Sequence, residues 1–169
     1  MKTLLLLRHA KSSWDDPSSR DFDRPLAPRG ERDAPAIGRE LSRRGVLPDL
    51  IVSSPAARAK QTVEAVVQAA GSKVSPRFEI GLYGAPSSEL MRFIRRLPDT
   101  SRCALLVGHN PGFEDLLSRL IGTRQHMPTA ALACVEMGVA SWADLEDGQG
   151  RLAWLVTPKS LTRDGGTDP

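Results

Sequence analysis

Cysteine is scarce: only Cys103 and Cys134 occur in 169 residues, each inside an apolar run. They read as reduced core residues in a chain long enough to bury a core without staples. Neither is followed six residues later by an arginine, which excludes a cysteine-based phosphate loop, and no Cys/His spacing suits zinc. Aromatic residues make up 5%, too few to offer stacking platforms for nucleic acid. Long apolar runs are missing as well, and nothing approaches the roughly 20 residues that cross a bilayer. The opening MKTLLLL is too brief for a signal h-region of about 7–15 residues and no small-residue cleavage site follows, so the chain reads as cytoplasmic. Charge of one sign is not concentrated either. The 23 basic and 20 acidic residues leave a net +3, and the 18 arginines are interleaved with acids. That pattern speaks against a nucleic-acid or membrane partner. No repeat, low-complexity tract or linker interrupts the sequence. Residues 1–159 are expected to form a single domain and the polar, Gly-rich 160–169 a frayed tail.

What is present is an alternation of short apolar runs and helical patterns. Residues 3–7 form a continuous apolar run, the signature of a strand buried on both faces. After a stretch broken by Pro17, Pro25 and Pro28, the residues Ala34, Ile37 and Leu41 recur at helical spacing from about Gly30 to Arg44, and Gly45 stops them. DLIVSS (49–54) is a second short strand, followed by a helix with Ala59, Val63, Val66, Val67 and Ala70 on one face and Gly71 at its end. A weak third strand falls within 73–80. Ser87 is expected to cap a helix carrying Leu90, Phe93, Ile94 and Leu97. CALLV (103–107) is another buried strand and precedes a helix near 112–121. ALACVEM and RLAWLV, on either side of EDGQG, read as strands joined by a turn. The pattern implies an α/β three-layer sandwich: a mostly parallel central sheet with late antiparallel edge strands.

In such a sheet ligands collect beyond the carboxyl ends of the strands. Three strands end in LLLLRH, IVSSP and LLVGHNP. These endings, with the helix that follows the second, can bring Arg8, His9, Arg58 and His109 to one edge. Two guanidiniums and two imidazoles, without carboxylates in the histidine motifs, suit a tetrahedral anion such as phosphate. Gly108 allows close backbone approach, and the helix after HNPG adds unpaired N–H groups. Taken singly, each piece also fits a plain role: a surface Arg-His pair, a strand-end histidine, a capped helix start. Their joint order favours a site.

LLRHAKSSWD, with Arg8, His9, Ser12 and Trp14, resembles the RHGESxWN signature of the histidine phosphatase, or phosphoglycerate-mutase-like, superfamily. RPLAPRGERDA is similar to its LTxxGxxQA at Leu26, Gly30 and Ala34. SSPAARAKQT matches SSPxxRAxQT throughout and places Arg58, while VGHNPG places His109. RHAKSSW, DRPLAPRG, LYGA and GHNPGFEDLL in a compact chain are most similar to the SixA-type phosphohistidine phosphatase group. The resemblance implies a phosphoglycerate-mutase-like fold with His9 as nucleophile through Nε2. It further implies that Arg8, Arg58 and His109 hold the phosphoryl group, with Ser12 lining the phosphate pocket, and that no metal or other cofactor is needed. The expected activity is hydrolysis of protein phosphohistidine through a covalent phosphohistidine. The alternatives are a small-molecule phosphate esterase on the same fold, or a phosphate-binding domain without turnover. The expected partner is accordingly a phosphorylated protein or a small phosphorylated substrate, and the oligomeric state stays open.

The sequence departs from the family pattern at Ala10, Lys11, Asp15, Ala27 and Asp33. Relatives that protonate an alkoxide carry a Glu four residues before the Gly of a Tyr-Gly step; here Glu79 stands five before Gly84. Glu79 is the first candidate acid, with Asp15, Asp16, Asp21 and Asp23 as competitors. A leaving imidazole can already carry a proton, so a phosphoramidate needs less help from a dedicated acid than an alkoxide does.

Overall fold

The four consecutive leucines of β1 (Lys2–Arg8) serve two cores at once. Side chains alternate across a strand, so Leu4 and Leu6 enter one apolar cluster and Leu5 and Leu7 the other, all fully buried. The same division holds in β2 (Leu50–Ser53) and β4 (Cys103–Gly108): Val52 and Leu106 face one side, Ile51, Leu105 and Val107 the other. A sheet apolar on both faces requires a helical layer on each. In the computed structural model, which describes residues 1–164, α1 (Pro28–Arg44) and α2 (Ala57–Ala70) cover the second face with Ile37, Leu41, Val63 and Val66. Helices α3 (Ser87–Ile94) and α4 (Gly112–Ile121) cover the first with Leu90, Ile94, Phe113 and Leu117.

The sheet has six strands in the order β3-β2-β4-β1-β5-β6, where β3 is Arg77–Phe78, β5 Leu132–Met137 and β6 Gly150–Val156. β3, β2, β4 and β1 pair in parallel; β5 and β6 add antiparallel at the far edge. This is the three-layer α/β arrangement expected from the sequence. Helices α1 and α2 end as their glycines foretell, with Gly45 and Gly71 both at φ 66° in the left-handed region.

Several boundaries differ from expectation. The strand expected within 73–80 is reduced to two exposed residues, because Pro76 cannot donate to the ladder and confines pairing to the edge. Ser87 is the first residue of α3 rather than its cap, which falls at Pro86. Leu97 lies beyond the end of α3 yet still packs into the core. Residues 160–164, part of the stretch expected to fray, belong to a short helix, α5 (Pro158–Asp164), whose Leu161 packs against the α1 side. The remainder of that expected tail, 165–169, lies outside the described residues. Both cysteines are free, and burial pushes their thiols up, to about 12 for Cys103 and about 11 for Cys134. Among the described residues no helix is long and apolar enough to cross a membrane.

Candidate active site

Parallel pairing decides where the motif residues go. The register of β1 on β4 sets Arg8 opposite Gly108, so His9 and His109 leave the sheet side by side. The His9 N–H donates to the Gly108 carbonyl at 3.0 Å, and the two imidazole centroids lie 5.1 Å apart. Gly108 is required by packing: a Cβ there would lie 2.5 Å from the Phe113 ring of α4. On the other side of β4, the Ser54 N–H donates to the Val107 carbonyl at 2.9 Å. Helix α2 begins three residues later, and Arg58 in its first turn points Nε at His9 Nε2, 3.3 Å away. His9, His109 and Arg58 are 8%, 7% and 6% exposed. Arg8 completes the group, its Nη1 donating to the Met127 carbonyl at 3.1 Å. Four residues far apart in sequence thus share one site at the carboxyl edge of the sheet.

The loop between β1 and α1 is fastened from below. The Thr62 hydroxyl of α2 accepts from the Ala10 N–H at 3.0 Å and donates to the Arg58 carbonyl at 2.7 Å, tying the residue after His9 to the helix that carries Arg58. The Gln61 side chain accepts from the Leu26 N–H at 2.8 Å, and Leu26 bridges to Ser12. A Cβ at Gly30 would collide with the Lys11 carbonyl oxygen, so the first turn of α1 can sit directly on this loop.

The hydrogen bonds also fix the protonation of His9. Its Nδ1 faces the Ala10 carbonyl at 2.7 Å, an acceptor only, so Nδ1 carries the hydrogen and Nε2 keeps its lone pair. Burial is the largest cause that holds His9 down at about 3; His109, Arg58 and Arg8 add to it, and the bond to Ala10 opposes it. His109 is held down at about 4, first by burial and then by Arg58 and Arg8, with Asp21 acting in the other direction. Its Nε2 meets the Ser54 hydroxyl at 2.7 Å. Among the described residues, two buried side-chain nitrogens or oxygens have no hydrogen-bond partner, and both belong to this quartet: Arg8 Nε and His109 Nδ1. Buried polar atoms are rarely left unpaired, and this set is well suited to an oxyanion.

The other candidates divide. Ser12 is buried but stands one step back, its Oγ accepting from Arg24 rather than touching the quartet. Glu79 is exposed and its side chain joins no hydrogen bond or ion pair among the described residues; its backbone alone is engaged, the N–H donating to the Ser53 carbonyl and the carbonyl accepting from the Leu82 N–H, each at 3.0 Å. Of the loop acids, Asp21 enters the site. Its carboxylate accepts from Arg58 Nη2 at 3.0 Å, from the Tyr83 hydroxyl at 2.6 Å and from Arg24 Nη1 at 2.9 Å, and its carbonyl accepts from Arg58 Nη1 at 2.6 Å. Asp15, Asp16 and Asp23, exposed as Asp21 is, have no hydrogen bond to the quartet, Asp16 pairing with Ser18 and Asp23 with Arg20. Sequence reasoning assigned no role to Ser54, Thr62, Tyr83 or Arg24, although all four lie within quoted motifs. Among the described residues no three His, Cys, Asp or Glu side chains gather as a metal-ion ligand set.

The family model for the histidine phosphatase superfamily (branch 1) matches residues 4–82, the span that carries Arg8, His9 and Arg58. A solved structure from Agrobacterium tumefaciens, provisionally named phosphohistidine phosphatase SixA, is 32% identical and superposes with a TM-score of 0.81 over 93% of this chain and 98% of its own. The chain belongs to the histidine phosphatase superfamily. An uncharacterized chloroplastic protein of Arabidopsis thaliana is 36% identical over 94% of this chain and 79% of the relative. A protein histidine phosphatase SixA complexed with tungstate, 22% identical, shares the fold with a TM-score of 0.81 over 94% of this chain and 99% of that one. The mixed six-stranded sheet flanked by helices that this histidine phosphatase chain builds is the fold it shares with those SixA structures.

Proposed function

We propose that this histidine phosphatase dephosphorylates phosphohistidine on a cytoplasmic phosphoprotein, without a metal, through a phosphoryl group carried on His9. The observation that carries the reading is the state of His9: a buried imidazole whose Nδ1–H is committed to a carbonyl, leaving the Nε2 lone pair beside the Arg58 guanidinium. A nucleophilic imidazole has to be neutral, and burial among cations keeps it so. The tungstate bound by a SixA of the same fold supports a tetrahedral oxyanion as occupant.

Arg8, Arg58 Nε and His109 Nδ1 would donate to the phosphoryl oxygens. A dianion beside His109 favours its protonated form, in which one N–H faces Ser54 and the other the oxyanion. The His9 Nε2 lone pair then attacks phosphorus in line, forming N–P as the bond to the leaving group breaks. The same donors neutralise the charge spread over the equatorial oxygens. Water next attacks the phosphohistidine, phosphate departs, and His9 regains its lone pair.

The test is a substrate panel: a phosphohistidine-bearing protein domain against simple phosphate monoesters, with wild type and His9→Ala. Wild type is expected to release phosphate and to trap an acid-labile phosphoryl label that His9→Ala does not acquire, with rates unchanged by a chelator. Equal loss of phosphohistidine in the two proteins would refute the assignment. Turnover of a monoester alone would redirect it to a small-molecule ester.

A further inference from the structure

We propose that Asp21, flanked by Tyr83 and Phe22, selects substrates whose phosphoryl group is carried on a planar cation, the protonated ring of a phosphorylated histidine, over esters that leave as oxyanions. The inference rests on the function proposed above and adds the residue that sets leaving-group class.

Asp21 opens a 3-10 turn, Asp21–Asp23, in the β1–α1 loop. Arg58 has two ends: its Nε meets His9, and its outer nitrogens, Nη1 and Nη2, are both held by Asp21. The carboxylate therefore lies across the guanidinium from His9 Nε2, and the proposal places the departing group on that side. The Tyr83 ring stands edge-on to both Phe22 (5.1 Å, 88°) and His109 (5.4 Å, 78°), so the aromatic wall and the carboxylate border the same space. The Tyr83 hydroxyl donates to Asp21 at 2.6 Å and fixes the carboxylate against that wall.

Asp21 is ionised throughout any working range. The Tyr83 hydrogen bond is the largest cause, Arg58 and Arg24 add to it, and together they hold the carboxyl at about 2 despite partial burial. It cannot supply a proton to an alkoxide, and its charge repels one. Exposed Asp15, Asp16 and Asp23 on the same loop add negative charge to the rim, although Asp23 is paired with Arg20.

A phosphohistidine ring protonated on its remote nitrogen meets the opposite conditions. That N–H donates to the Asp21 carboxylate, a charge-assisted bond. As His9 Nε2 forms its bond to phosphorus, the substrate P–N bond breaks and its electron pair returns to the ring. The ring leaves as neutral imidazole, with its remote N–H still on Asp21. No proton changes hands, which accounts for a site whose first candidate acid, Glu79, faces solvent.

The experiment compares kcat/KM for a phosphohistidine-bearing domain and for p-nitrophenyl phosphate in wild type, Asp21→Asn and Tyr83→Phe. Asp21→Asn is expected to lower the ratio of the two by about tenfold or more, equivalent to about one pK unit lost from the bound ring. Its phosphohistidine activity should also decline at a lower pH than that of wild type, because the ring proton is less tightly held. Tyr83→Phe is expected to move the ratio in the same direction by less. If both substrates fall in equal proportion, Asp21 merely positions Arg58 and the proposal is overturned; an unchanged ratio overturns it equally. A wild type inert towards phosphohistidine would instead defeat the underlying function, and this inference with it.

Discussion

Lowering the pH from 8 to 5 is expected to destabilise the fold through the two site histidines. Burial and the neighbouring arginines hold His9 at about 3 and His109 at about 4 in the folded protein, against an ordinary value of 6.5. Between those limits the unfolded chain takes up protons that the folded chain refuses, so unfolding becomes easier as pH falls. At pH 5 each histidine costs about 2 kcal/mol relative to pH 8, and the pair about 4 kcal/mol. Because both folded values lie below 5, the ordinary value of the unfolded chain sets that figure. Urea unfolding of wild type and of the His9→Ala/His109→Ala double variant, each at pH 8 and pH 5, measures it. Other titrating groups are common to both proteins, so the wild type should lose about 4 kcal/mol more on acidification than the double variant. Equal losses would mean that the histidines are not kept neutral, and the electrostatic basis for a nucleophilic His9 would fall. Inorganic phosphate should oppose the effect, since a bound dianion favours the protonated form of His109.

Three further outcomes are expected. Gly108→Ala forces a Cβ against the Phe113 ring; overpacking of this kind costs about 1–3 kcal/mol, and denaturant unfolding with a turnover assay should show lost stability together with lost activity as His109 is displaced. Unaltered stability would refute the close-approach argument. Thr62→Val leaves the buried Ala10 N–H without its acceptor, a loss of about 1–3 kcal/mol, and calorimetry reporting a wild-type midpoint would contradict the fastening role given to Thr62. A working general acid contributes about 10²–10⁴-fold, whereas Glu79→Gln is expected to change steady-state hydrolysis of an alkyl phosphate by less than about threefold; a hundredfold loss would restore Glu79 as the acid.

The sheet was legible because its signal is local and redundant. Four adjacent leucines in β1, and Leu105, Leu106 and Val107 in β4, can be buried only between two helical layers. The third strand was overread because apolar content near residue 78 says nothing about position at an edge, where Pro76 limits pairing. Helix α5 was missed for a related reason. Seven residues carry too little periodicity to register, and its single anchor, Leu161, gains meaning only once α1 is in place.

The site was legible to the extent that side chains follow directly from strand ends. Arg8, His9 and His109 are placed by the β1–β4 register alone, and Arg58 by the short step from β2 into α2. The matched motifs also contain residues with a different task. Gly30, Gln61 and Thr62 face the loop backbone, and they are what makes that loop reproducible enough to hold His9 at a fixed tautomer. Asp21 belongs to neither group. It lies in a proline-broken loop without period, two residues from Asp23, a carboxylate of the same exposure, and what distinguishes the two is a three-dimensional fact: Tyr83 and Arg58 converge on one of them. Chemistry placed by a sheet edge can therefore be read from sequence, whereas chemistry placed by a loop folding back over that edge requires coordinates. In this chain the proposed nucleophile falls on the first side of that line and the proposed determinant of leaving-group choice on the second.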